Sequence, residues 1–147
     1  MRELLIIGGV AAGATAAARA RRIDNDVNIT MLEAGADVSF ANCGLPYYLG
    51  GEIEYRSSLI LASPETFWDQ YQVKVHTNTE ALEIDRSKKQ VKARNNETGE
   101  ETYFPYDSLI LAQGGKPVIP PIEGVNKRHV FQLWTLADMD AIDLFLY

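Results

Sequence analysis

Glu3-Leu-Leu-Ile-Ile-Gly-Gly-Val-Ala-Ala-Gly13 is the stretch whose reading decides the fold. Leu4 to Ile7 is continuously apolar rather than alternating, as in a strand buried on both faces, and Gly8-Gly9 ends it abruptly. From Ala11 to Ile23 the chain is mostly Ala and Arg, which favour helix, and Asp24-Asn25-Asp26 closes that helix with turn formers. Val27 to Leu32 is a second strand, ending at Glu33. Strand, helix and strand make a βαβ unit of about thirty residues, the smallest piece of a dinucleotide-binding fold.

The turn itself carries the first chemistry. Gly8 lets the chain reverse, Gly13 lets helix and strand pack closely, and the helix N-terminus presents unpaired N–H groups suited to a pyrophosphate. Ala17, one turn after Gly13 on the same face, is small enough to preserve that contact. Glu33 stands where an acidic side chain can accept a ribose hydroxyl. The middle position of the G-x-G-x-x-G pattern is Val10 rather than Gly, so the surrounding elements carry the reading. A glycine-rich turn in an unrelated α/β domain is the alternative.

The 147 residues are 46% hydrophobic, enough to bury one ordinary core. Fourteen Lys and Arg against twenty Asp and Glu leave a net charge of −6, which excludes a general nucleic-acid or anionic-membrane surface. No apolar run is long enough to span a bilayer, and Met1 is soon followed by the glycine turn rather than by a leader pattern. A cytoplasmic location is expected, where one reduced cysteine is at home. No metal site is expected.

That cysteine lies in Ser39-Phe-Ala-Asn-Cys-Gly-Leu-Pro-Tyr-Tyr-Leu-Gly-Gly51. Leu45 to Leu49 suits a short helix with Pro46 in its first turn, stopped by Gly50-Gly51. A cysteine at such a helix start has its thiolate stabilised by unpaired amides. A free cysteine is also commonly a small buried hydrophobe, but Ser39, Asn42 and Gly44 do not resemble core neighbours. A lone thiol cannot close an internal disulfide, so redox chemistry at Cys43 needs an external sulfur, an oxygen species or a flavin. Thr15, Arg19 and Arg22 share one helical face that Arg21 does not, either as solvated cations at a helix C-terminus or as a phosphate-binding corner.

Ile6-Ile7-Gly8-Gly9-Val10-Ala11-Ala12-Gly13, Glu33 and above all Ser39-Phe40-Ala41-Asn42-Cys43-Gly44-Leu45-Pro46-Tyr47 resemble the N-terminal part of the coenzyme A-disulfide reductases. These form part of the single-cysteine branch of the FAD- and pyridine-nucleotide-dependent disulfide oxidoreductases. NADH oxidases and peroxidases of the same branch are less similar, because their cysteine segments generally lack the Asn before Cys and the Leu-Pro-Tyr after it. The resemblance implies an α/β fold: an FAD-binding, Rossmann-like parallel sheet with an antiparallel β-meander, in three ββα layers. It implies FAD contacts at Gly8, Gly9, Ala12, Gly13, Glu33, Ala34, Ala81, Ala112 and Gly114, with Cys43 catalytic. Ser39 and Asn42 would position the pantetheine arm of coenzyme A, and Thr15, Arg19 and Arg22 its nucleotide phosphates.

Downstream, Ser63-Pro64-Glu65 reads as a helix start, and Thr66 to Tyr71 supplies the helix, with Phe67, Trp68 and Tyr71 as packing residues. Gln72 to His76 alternates as a strand, Val73 and Val75 sharing a face; His76 is read as a surface or satisfied histidine. Ala81 to Asp85, Gln90 to Arg94 and Thr102 to Tyr106 make an antiparallel meander. Asp107 to Ala112 returns as a buried parallel strand ending at Gln113-Gly114-Gly115, where relatives usually carry Ala-Thr-Gly. Leu133 to Leu146 resembles the connecting helix toward an NAD(P)H domain.

Residues 1–147 are therefore expected to be the N-terminal part of an FAD-binding domain, with the NAD(P)H and dimerisation domains of a homodimeric enzyme outside them. Alone they are expected to bind FAD weakly, to self-associate and to be inactive. The resemblance implies attack of Cys43 on coenzyme A disulfide and return of electrons from FAD recharged by NAD(P)H. Two other readings stand beside it: a flavoprotein in which Cys43 cycles through a sulfenic acid with peroxide or oxygen, and a non-catalytic nucleotide-binding module.

Overall fold

The computed structural model describes residues 1–146 and divides into two compact units. The first comprises Met1–Phe40 and Ile60–Gly114. Its centre is β1 (Glu3–Ile7), followed by α1 (Ala12–Ile23) and β2 (Asn28–Leu32). Later come α3 (Pro64–Tyr71), β3 (Val73–His76), a meander of β4 (Thr79–Asp85), β5 (Gln90–Asn95) and β6 (Glu101–Pro105), and β7 (Ser108–Leu111); α2 (Leu45–Leu49) belongs to the second unit. The parallel sheet runs β3-β2-β1-β7, with Ile6 opposite Met31 on one side and Ile110 on the other. The meander forms a separate antiparallel sheet in the order β4-β5-β6.

The continuous apolar run of β1 is explained by burial on both faces. Ile6 joins Ile29, Met31 and Val73 beneath Ala14, Ala17 and Phe67 of the helices, while Leu5 and Leu32 point the other way, onto Val91 and Ala93 of the meander. Parallel sheet, helices and meander thus make the three expected layers. Alanine at positions 14 and 17 lets α1 lie close against the strands. Val73 and Val75 do share the helix-facing core.

Two expectations need correction. The strand ending near Ala112 is not fully buried: Leu109 and Ile110 are half-buried and Leu111 is exposed, because β7 is the edge of the parallel sheet. Trp68 packs only in part, being 46% exposed, whereas Phe67 is buried and Tyr71 half-buried; α3 has only one inward face. Its start is as read, with Ser63 capping the Thr66 N–H at 3.2 Å.

The second unit comprises Ala41–Leu59 and the described part of the segment from Gly115 onward. A 3₁₀ turn, Asn42–Gly44, leads directly into α2 (Leu45–Leu49), with Pro46 in its first turn and the Gly50 N–H donating to the Pro46 carbonyl at 2.9 Å. A second 3₁₀ turn, Arg56–Leu59, and α4 (Leu136–Leu146) complete its regular elements among the described residues. Leu45, Leu59, Leu136 and Met139 are each buried to within 1%. The final helix begins at Leu136 rather than Leu133, because Thr135 and Asp138 cap one another: the Thr135 N–H donates to Asp138 at 2.8 Å and the Asp138 N–H to Thr135 Oγ1 at 3.1 Å. No described helix is long and apolar enough to cross a membrane.

Candidate functional site

In the first unit the carboxyl ends of β1, β2 and β7 gather around the glycine turn. Gly8 has φ +98°, donates its N–H to the Leu32 carbonyl at 2.8 Å, and would place a Cβ 2.2 Å from the Ala112 carbonyl oxygen. A Cβ on Gly13 would fall 1.7 Å from the Gly8 oxygen. Both positions therefore require glycine for reasons of backbone approach, which ties Gly8, Gly13 and Ala112 into one cradle. Ala11, at the N-cap of α1, offers no side-chain cap, and no acidic residue occupies the first turn. The first amides of α1, including those of Ala12 and Gly13, lack intrahelical acceptors and are suited to an anionic group.

Glu33 has a structural duty that the spacing did not reveal. Its Oε2 accepts the Gly9 N–H at 2.7 Å and its Oε1 the Gly35 N–H at 2.8 Å, so the carboxylate buttresses the turn. Each oxygen has a further lone pair, which leaves capacity for a hydroxyl. Exposed Ala34 accepts a hydrogen bond from Asn96 Nδ2 at 3.2 Å, and Ala81 lies on the meander edge strand β4 with its methyl against the core. Gly114, at φ +65°, would meet nothing within 4 Å if it carried a Cβ; its requirement is conformational, not steric. Uncapped amides, a cradle that side chains would fill and a carboxylate at the second strand together fit a dinucleotide such as FAD.

The arginines of α1 separate by role. Arg21 donates to the carbonyls of Tyr71 at 2.8 Å and Asn25 at 2.8 Å, closing the ends of two helices. Arg22 lies over the Tyr71 ring at 5.9 Å, and exposed Thr15, Arg19 and Arg22 have no ion pair among the described residues. Ser39 adopts φ +47°, with its N–H on the Gly9 carbonyl and its carbonyl accepting from Leu61. His76 is exposed, edge-on to Phe104, and burial of part of its ring together with neighbouring Lys74 holds its pKa below the ordinary value.

In the second unit Cys43 is a free, exposed thiol within the 3₁₀ turn, while Gly44 beside it is buried. It opens on a pocket of about 340 Å³ lined by Asn42, Cys43, Pro46, Leu133 and Trp134. Leu133 and Trp134 were legible only as part of the final helix. Ninety-one positions separate Trp134 from Cys43 (134 minus 43), and no local pattern pairs them. The available signal is the Thr135-x-x-Asp138 capping pattern, which puts both residues outside the helix.

Comparison with known proteins gives the following. The family described as pyridine nucleotide-disulphide oxidoreductase matches residues 2–145. A coenzyme A disulfide reductase of Staphylococcus haemolyticus is 37% identical over 147 residues, covering 99% of this chain and 32% of that protein. The chain thus spans about a third of the length of the curated relatives it matches. The crystal structure of reduced Bacillus anthracis CoADR-RHD superposes with a TM-score of 0.95 at 37% identity, covering 99% of this chain and 26% of that one. An NAD-dependent persulfide reductase from A. fulgidus gives a TM-score of 0.90 at 40% identity, covering 95% of this chain and 27% of that one.

Proposed function

Because the chain belongs to the pyridine nucleotide-disulphide oxidoreductase family, we propose that it is the flavin- and cysteine-bearing part of an NAD(P)H-dependent enzyme that reduces coenzyme A disulfide. The observation that carries this reading is the exposed thiol of Cys43 opening on a largely apolar pocket, in a chain 37% identical along its length to a coenzyme A disulfide reductase. Residues 1–147 form the N-terminal part of the FAD-binding domain, the nicotinamide and dimerisation domains of a cytoplasmic homodimer lying outside them.

Gly8, Gly9, Ala12 and Gly13 would hold the FAD pyrophosphate through backbone amides, Glu33 a ribose hydroxyl, and Ala34, Ala81, Ala112 and Gly114 would border the remainder. FAD, when bound, supplies the electron pair that restores Cys43 after each exchange. The Cys43 thiolate attacks one sulfur of the disulfide, forming a Cys43–coenzyme A mixed disulfide and releasing one coenzyme A thiol. Asn42 and Ser39 orient the pantetheine arm. Arg19 and Arg22, with no carboxylate claiming them among the described residues, and Thr15 hold the nucleotide phosphates.

The test is the mass of the protein after exposure to coenzyme A disulfide. The expected result is one coenzyme A adduct that disappears in Cys43→Ser; an unmodified thiol, or an oxygen adduct alone, overturns the reading.

A further inference from the structure

We propose that Asn96 is a positioning residue for the Glu33 carboxylate, acting through the Ala34–Gly35 peptide unit, so that the β5–β6 hairpin sets how the chain receives a ribose hydroxyl. This deepens the reading of the glycine turn as part of an FAD site and rests on it.

Residues 33–35 leave β2 as a loop, yet each of their three carbonyls is taken from the meander side. The Thr79 N–H donates to the Glu33 carbonyl at 2.8 Å, Asn96 Nδ2 to the Ala34 carbonyl at 3.2 Å, and the Asn78 N–H to the Gly35 carbonyl at 2.8 Å. Two of these donors are backbone groups; the third is a side chain. The hairpin tip is built to present it. Asn95 Oδ1 accepts the Glu97 N–H at 2.8 Å and the Thr98 N–H at 3.0 Å, and the Asn96 N–H donates to the Asn78 carbonyl at 2.6 Å. Asn78 returns a side-chain hydrogen bond to Glu97 at 2.9 Å, so the residue that holds Gly35 and the tip that carries Asn96 fix one another.

The Ala34 carbonyl and the Gly35 N–H belong to one planar peptide, in which they point in opposite directions. Asn96 holds the oxygen, and on the other side the N–H donates to Glu33 Oε1 at 2.8 Å. The second carboxylate oxygen accepts the Gly9 N–H at 2.7 Å. A continuous line of hydrogen bonds thus runs from the hairpin through the peptide and the carboxylate to the glycine turn, each bond polarising the next. Without the Asn96 donor the peptide can turn its carbonyl to water, and the N–H that aims Glu33 turns with it. The lone pairs left for a hydroxyl would then lose their fixed direction.

The isotope-labelled 147-residue chain is titrated with ADP, which carries the adenosine part of FAD, and with 2′,3′-dideoxy-ADP, which lacks the hydroxyls that Glu33 would accept. Amide NMR spectra report both affinities. In Asn96→Ala the affinity for ADP is expected to fall about fivefold, as loss of one oriented hydrogen bond would give, while that for the dideoxy compound stays within about twofold. Asn96→Gln, which keeps the donor, should recover most of the loss, and in a Glu33→Gln chain the Asn96→Ala change should add little. Before any ligand is added, the Gly35 and Gly9 amide resonances should both move in Asn96→Ala. Equal weakening of the two nucleotides would make the hairpin contact merely structural and overturn the role of Asn96, as would an unmoved Gly35 resonance. An unaltered chain that binds neither nucleotide, or both equally, overturns the placing of the ribose at Glu33 and this inference with it.

Discussion

The β1–α1 turn and the Cys43 segment each set glycine beside the chemistry, but the glycines work differently. At the turn, Gly8 and Gly13 are pressed against backbone oxygens, and the groups that would meet a ligand are amides. At the cysteine, Gly44 faces the tip of a side chain, Leu59 Cδ2, and the group that would react is an exposed thiol. A site built from backbone depends on packing and cannot be altered without loosening the fold. A site built from one exposed side chain can lose its chemistry and keep its structure.

Gly13→Ala is the sharpest way to break that contrast. Helix propensity alone would favour alanine by about 1 kcal/mol, but the new methyl would sit 1.7 Å from the Gly8 carbonyl oxygen, which β1 holds in place. Steric cost should win, giving a net loss of about 3 kcal/mol or more in urea unfolding, or no folded protein. A loss below about 1 kcal/mol would mean that the turn is more pliable than its geometry indicates.

Gly44→Ala should cost less, about 1–2 kcal/mol, because the methyl meets the far end of Leu59 at 2.6 Å and that side chain can rotate aside. The residue also has φ −84°, so no backbone strain is added. Cys43→Ser should cost still less, within about 0.5 kcal/mol, as expected for an exposed site. Chemical denaturation of both variants checks the order; a reversal would place Cys43 in the packing and remove the distinction between the two regions.

The same distinction explains what could be read from sequence. Gly8, Gly13 and Glu33 were legible because steric exclusion and strand-end position leave marks at fixed spacing, and the apolar run of β1 announced a strand covered on both sides. The short helix after Cys43 was legible from Pro46 and Gly50. Trp134 was not, since its place beside the thiol comes from tertiary packing between segments far apart in the chain. The part Glu33 plays in holding Gly9 and Gly35 was hidden because a carboxylate that accepts backbone N–H groups leaves no mark in the spacing. Trp68 misled for the opposite reason: its bulk suggested packing, but the helix turned it outward.

The smallest expected effect concerns pH and touches only the first unit. His76 ends β3, and its backbone carbonyl accepts at 2.9 Å the N–H of Glu33, the residue whose carboxylate buttresses the turn. Burial of part of the imidazole, with Lys74 close by, holds its pKa below the ordinary 6.5. A depressed histidine favours the neutral form in the folded protein, so the unfolded chain takes up more protons as pH falls past 6.5. Its contribution to stability is therefore present in full above 6.5 and is lost as pH falls through the folded value. Unfolding midpoints from pH 7.5 to 5.5 should show a shallow decline below 6.5 that His76→Phe removes, while the rate of Cys43 exchange, corrected for thiolate content, shows no matching break. A break in the exchange rate that follows His76 would tie the cysteine to the glycine turn and end the separation argued from the glycines.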